Sequence, residues 1–162
     1  MIVYHGSTSE VRHPDISFSK NNLDFGRGFY MTSYREQAER WAKRKAMRCQ
    51  SKAFLSIYEL ADDLSAYRVL RFTKIDETWL DFICSCRRGG KDYQSYDIIQ
   101  GPMADDDVFQ CVSFYYRGIW TREHTLEELR FCRPNDQIAV ISSTVIDKSL
   151  TFVKSVVLEE TP

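Results

Sequence analysis

Two glycines two residues apart, followed by an aromatic pair, constrain this chain more than any other feature. They stand in Asp24-Phe25-Gly26-Arg27-Gly28-Phe29-Tyr30-Met31-Thr32. Glycine permits backbone angles and close approaches that a β-carbon forbids. The segment therefore reads as a sharp bend entering a strand, with Tyr30 delivered beside bare backbone. Upstream, the apolar run Ile2-Val3-Tyr4 ends in His5-Gly6-Ser7. A polar cluster at the mouth of one strand and an aromatic at the bend into another predict a ligand cleft.

Composition bounds the alternatives. At 162 residues the chain is expected to form one domain over 1–162. With 43% hydrophobic and 14% aromatic residues it can bury a sizeable core. The net charge of -1 disfavours nucleic acid, since polyanion binding normally needs a strong basic patch. The cysteines Cys49, Cys84, Cys86, Cys111 and Cys132 are odd in number and irregularly spaced. Lacking zinc-knuckle spacing, they read as reduced thiols, and no metal is expected. No apolar run approaches the ~20 residues of a membrane span, and no leader opens the chain, so a cytoplasmic protein is expected.

Pattern predicts strands over 2–5, 28–32, 53–60, 66–72, 96–100 and 138–141, with another from 150 to 158. Ser33 with Glu36 reads as a capping box opening a helix that runs to about 50. Further helices are predicted over 75–88, 105–118 and 124–131, and residues 8–24 as a loop with some short structure. Within 53–60, Phe54, Ser56 and Tyr58 are expected to face outward. The result is an α+β fold with a split, mostly antiparallel sheet and inserted helices.

His5-Gly6-Ser7 together with Gly26-Arg27-Gly28-Phe29-Tyr30 resembles the ADP-ribosyltransferase superfamily, in the branch holding diphtheria toxin and the poly(ADP-ribose) polymerases. Gln37-Ala38-Glu39-Arg40-Trp41-Ala42 and Gly101-Pro102-Met103-Ala104-Asp105-Asp106 extend the likeness to a small bacterial family of such domains, sometimes associated with toxin–antitoxin loci. The resemblance implies NAD as substrate, an unidentified acceptor and, by association, a neutralising antitoxin protein.

It also implies residue roles. The Gly6 backbone would bond the nicotinamide amide, His5 the adenosine-side ribose, and Ser7 would support the strand end. Tyr30 would stack on the nicotinamide ring, an interaction worth about 0.5–1.5 kcal/mol beyond area burial; the plain alternative is a core tyrosine. Trp41 is a candidate second wall but reads first as core, being flanked by alanines. Arg27 is either a pyrophosphate ligand or a solvated turn residue, and Gly28 belongs to the clasp.

The superfamily's late-strand glutamate corresponds to Gln137, or to Asp136 one residue earlier. A glutamine can bond a ribose hydroxyl but brings no charge, which predicts roughly a tenfold rate penalty. Asp105 or Asp106 is the candidate second carboxylate, though helix capping explains both equally well. The whole reading requires His5 and the Tyr30 hydroxyl to line one crevice.

Overall fold

The computed structural model describes residues 1–102, 106–129 and 135–159. Its strands are β1 (Ile2–Ser7), β2 (Phe29–Met31), β3 (Ala53–Leu60), β4 (Val69–Arg71), β5 (Ile98–Gly101), β6 (Gln137–Val140) and β7 (Leu150–Leu158). The helices are α1 (Arg35–Cys49), α2 (Glu77–Arg87), α3 (Asp106–Tyr116), α4 (Arg122–Leu129) and α5 (Ser143–Ser149). The fold is α+β, as the pattern predicts. One sheet has the order β1-β3-β7 and the other β2-β6-β5-β4, antiparallel except for β4 with β5.

Burial explains the layering. Phe29, Met31, Ile98, Ile138 and Val140 from one sheet pack against Val3 and Tyr58 of the other and against α5. The opposite face of the four-stranded sheet carries Ile99, Ala139 and Tyr30 into a second core with Trp79, Leu80 and Ile83 of α2 and Val108 and Val112 of α3. Each such side chain removed from water contributes about 1.5–3 kcal/mol. Trp79 is fully buried, and its indole N–H donates to the Pro102 carbonyl at 3.1 Å. Helix α1 lies on the three-stranded sheet through alanines alone, with Ala38, Ala42 and Ala46 against Ala53, Leu55 and Ile57.

Three expectations are corrected. Ser56 and Tyr58 are fully buried, because β3 is the middle strand and is covered on both faces. Their polar atoms are satisfied by Val11, whose N–H donates to Ser56 Oγ and whose carbonyl accepts from the Tyr58 hydroxyl. Ser33 does not cap α1: its hydroxyl donates to Asp136 Oδ2 at 2.8 Å, and Tyr34 takes the N-cap position without a side-chain bond. Residues 143–149, unassigned between the two predicted tail strands, form the short helix α5.

Candidate functional site

Strands β1 and β2 meet through a single bridge. Tyr4 N–H donates to the Thr32 carbonyl at 2.9 Å, and Thr32 N–H to the Tyr4 carbonyl at 3.0 Å. Continued by two residues, that ladder would pair Gly6 with Tyr30. The His5 imidazole interrupts it, its Nδ1 lying 2.7 Å from the Tyr30 carbonyl oxygen. A carbonyl only accepts, so Nδ1 carries the proton and Nε2 is left as an acceptor. The ring packs on Phe29 with centroids 4.5 Å apart. Burial lowers the His5 pKa to about 4, the bond to Tyr30 opposes this, and the nearby Lys45 charge lowers it further. The imidazole is neutral at pH 7.

This wedge has a consequence for Gly6. In an antiparallel ladder the residues whose N–H and C=O face a given neighbour alternate. Tyr4 directs its pair to β2, so Gly6 directs its own the same way. Among the described residues those two groups have no hydrogen-bond partner, although Gly6 is buried. A donor and an acceptor thus stand side by side on an open strand edge. The glycine is required by α1: a Cβ there would lie 2.1 Å from the Ala38 carbonyl oxygen. Ser7 is buried and donates to the Ser9 carbonyl, which turns the chain out of β1.

Tyr30 meets His5 through its main chain, not through its hydroxyl. Its side chain lies on the opposite sheet face from Phe29, against the α2 and α3 core. The hydroxyl donates to the Gly26 carbonyl at 2.7 Å and accepts from Phe25 N–H at 3.0 Å. Burial raises its pKa well above the ordinary tyrosine value, and the Asp24 charge adds to the effect. The expected crevice shared by imidazole and hydroxyl is corrected accordingly, because the tyrosine hydroxyl is committed to holding the glycine bend. That bend needs its glycines: Gly26 has φ +74°, and a Cβ on Gly28 would stand 2.8 Å from the Val140 oxygen. Gly28 N–H donates to Ser19 Oγ at 3.0 Å.

Gln137 and Asp136 point to different tasks. Ala139 pairs with Tyr30, so Gln137, two residues away, shares the Tyr30 face. Gln137 is 6% exposed, and its Nε2 donates across 3.4 Å to Asp24 Oδ2. Asp136 instead latches the end of β2. Its Oδ1 accepts from Thr32 Oγ1 at 2.6 Å and from Ser33 N–H at 2.9 Å, while its carbonyl accepts from Gln37 Nε2. Of the two registers, only Gln137 lies with Tyr30.

Asp24 behind it is held by Arg87 of α2, with guanidinium nitrogens 2.8 Å from Oδ1 and both side chains under a fifth exposed. Sequence reading passed over this pair. Asp24 looks like an ordinary turn residue, and no spacing links it to an arginine 63 positions later.

Trp41 is not core, contrary to expectation. It is 51% exposed, since the inward face of α1 is formed by Gln37, Ala38, Ala42 and Ala46 and Trp41 lies outside it. It projects from the same turn whose Ala38 and Ala42 abut Gly6. Arg27 donates from Nη2 to the Ser17 carbonyl at 3.0 Å, and its buried Nε has no partner among the described residues. It lines a cavity of about 450 Å³ with Arg68, Tyr93, Tyr96 and Asp97, in which neither His5 nor Tyr30 takes part. Asp105 lies outside the described residues, and Asp106 opens α3 with its side chain outside them. Among the described residues no three His, Cys, Asp or Glu side chains group as metal ligands, and no helix is long and apolar enough to cross a membrane.

The fold and its split therefore define an α+β protein with two sheets parted by a histidine beside an unpaired strand edge. A family described as proteins of unknown function, DUF3990, matches residues 1–152, and the chain belongs to it. No curated protein matches the chain.

Proposed function

We propose that this protein is an NAD-dependent mono-ADP-ribosyltransferase, or an NAD glycohydrolase where water is the acceptor. The observation that carries this reading is the Gly6 edge, an N–H and a C=O held unpaired by the His5 wedge. The nicotinamide carboxamide offers the complementary acceptor and donor. His5 Nε2, unprotonated at neutral pH, would accept from a ribose hydroxyl. The Tyr30 hydroxyl is committed to the Gly26 carbonyl, so this reading needs the Tyr30 ring alone, and not its hydroxyl, to wall the nicotinamide, with the exposed Trp41 ring as the candidate second wall.

In the reaction the bond from ribose C1′ to the nicotinamide nitrogen breaks, its electron pair leaving with neutral nicotinamide. Positive charge develops on the ribose and must be steadied. With its Nε2 turned to Asp24, the Gln137 amide presents Oε1 to the ribose hydroxyl, and the Asp24 carboxylate supplies negative charge one hydrogen bond behind. The acceptor then bonds to C1′. Neutralisation by an antitoxin protein belongs to the same reading.

A non-catalytic NAD or ADP-ribose binder is the second reading, favoured by the neutral amide at Gln137 and by the committed Tyr30 hydroxyl. Incubation of the pure protein with NAD separates the two. Nicotinamide release supports the enzyme, binding without release supports the module, and absence of both defeats the NAD reading.

A further inference from the structure

The cavity that Arg27 lines lies at the other end of the four-stranded sheet from Gln137. Ile141 and Ser142, which follow β6, form part of its wall, and Arg68 and Asp97, which precede β4 and β5, form another. A strand advances about 3.3 Å per residue, so the path along β6 puts Ile141 roughly 13 Å from Gln137. At about 450 Å³ the cavity falls within the range of roughly 300–1,000 Å³ that small-molecule sites occupy.

The charges in its wall do not balance. Asp97 accepts from the Arg68 main-chain N–H at 2.9 Å, from its Nε at 3.1 Å and from its Nη2 at 3.2 Å. The side-chain bonds from Arg68 hold the Asp97 carboxyl below the usual carboxylate range, so it stays ionised and neutralises that guanidinium. Arg27 has no carboxylate partner among the described residues. Its Nη2 donates to the neutral Ser17 carbonyl, and its buried Nε has no acceptor there. A cation with a buried donor left over calls for an acceptor. Around it, the hydroxyls of Tyr93, Tyr96 and Ser142 and the Gln94 amide make no hydrogen bond among the described residues.

We infer that this cavity is a second ligand site, which takes a nucleoside monophosphate with the phosphate on Arg27 and the base beside Tyr93 and Tyr96. A guanidinium fork matches phosphate oxygens, aromatic side chains suit a flat ring, and the hydroxyls and amide suit those of a sugar. The site stands without the NAD reading. Its occupant acts on the glycine bend. Arg27 lies between Gly26, whose carbonyl accepts from the Tyr30 hydroxyl, and Gly28, whose N–H donates to Ser19 Oγ. The Tyr93 ring lies so close to Gly26 that a Cβ there would stand 2.3 Å from it. A ligand held by Arg27 and Tyr93 therefore steadies the segment that carries Tyr30.

The test is isothermal titration of the full chain with adenosine 5′-monophosphate, beside adenosine and inorganic phosphate. The nucleotide should bind at least tenfold more tightly than either part. Arg27→Gln should weaken it at least tenfold. Gln94→Trp, a change at an exposed position, fills the cavity from its rim; it should block the nucleotide and leave NAD binding unchanged, and it serves where the Arg27 variant fails to fold. Hydrogen exchange at the amides of residues 26–29 should slow at least threefold in the complex.

Absence of nucleotide binding at millimolar concentration, or binding that Gln94→Trp leaves intact, overturns the site. Equal affinity for inorganic phosphate overturns the nucleotide assignment. Loss of NAD together with the nucleotide in Gln94→Trp makes the cavity the far half of one dinucleotide site and overturns its independence. Unchanged exchange at the bend overturns the link to Tyr30. Nucleotide binding by a protein that neither binds nor cleaves NAD supports the site and defeats the NAD reading alone.

Discussion

His5 Nδ1 and the Tyr30 carbonyl oxygen stand 2.7 Å apart across two strands that pair only at Tyr4 and Thr32 among the described residues. The contact substitutes a side-chain donor for the main-chain donor of Gly6. It fixes the imidazole tautomer and parts the sheets at one place.

That contact makes folding stability depend on pH. The folded His5 titrates near 4 against 6.5 for a free histidine, so the folded state binds fewer protons between these values. The contribution is complete above pH 6.5 and is lost as pH falls toward 4. Allowing for partial exposure, roughly 2 kcal/mol is expected to disappear. Urea midpoints at pH 7.0 and 4.5 measure it, and His5→Gln should flatten the difference. An unchanged profile in that variant would place the effect on another group.

Tyr30 offers a separation of stability from binding. Tyr30→Phe leaves Phe25 N–H and the Gly26 carbonyl without partners and should cost about 1–3 kcal/mol, lowering Tm while NAD affinity per folded molecule persists. Tyr30→Ala should lose affinity as well, because the ring itself is gone. Isothermal titration beside thermal melts decides; equal affinities in both variants would make Tyr30 a core residue only.

Gln137→Glu alone is expected to fail as a gain of function. It places a second carboxylate beside Asp24 in a buried setting, where like charges raise a pKa and destabilise by about 1–3 kcal/mol. The swap Asp24→Asn with Gln137→Glu keeps one charge and moves it to β6. Nicotinamide release in the double variant should rise about tenfold over the single variant. Equal rates would show that this position does not face the ribose.

The thiols should differ in reactivity. Burial pushes the Cys86 pKa up to about 12 and raises that of Cys84 as well, while Cys49 is exposed. Maleimide labelling of the native protein, read by peptide mass spectrometry, should modify Cys49 well before Cys84 or Cys86. Rapid labelling of Cys86 would mean that α2 opens readily.

Periodicity made the α+β class, the two-part sheet and α2 legible, since Ile75, Trp79, Phe82 and Ile83 repeat at helical spacing; the structure adds an N-cap at Asp76, whose Oδ1 lies 3.1 Å from Trp79 N. Helix α5 was not legible: seven residues rich in Val and Ile between two strands carry too little period to oppose β propensity. Tyr58 misled because a middle strand covered on both faces does not alternate. His5 and Gly6 stand out through neighbouring residues in sequence, and the structure sets them beside the bridge between β1 and β2. Asp24 and Arg87 were not, because their pairing exists only once α2 returns to the glycine bend.

The lone bridge between Tyr4 and Thr32 makes the molecule a pair of leaves sewn by one stitch along that seam. A dinucleotide bonding Gly6 on one leaf and Gln137 on the other would act as a second stitch. Occupancy should then raise the melting point and slow amide exchange along both margins of the seam together, a signature that a ligand gripping one leaf alone would not produce.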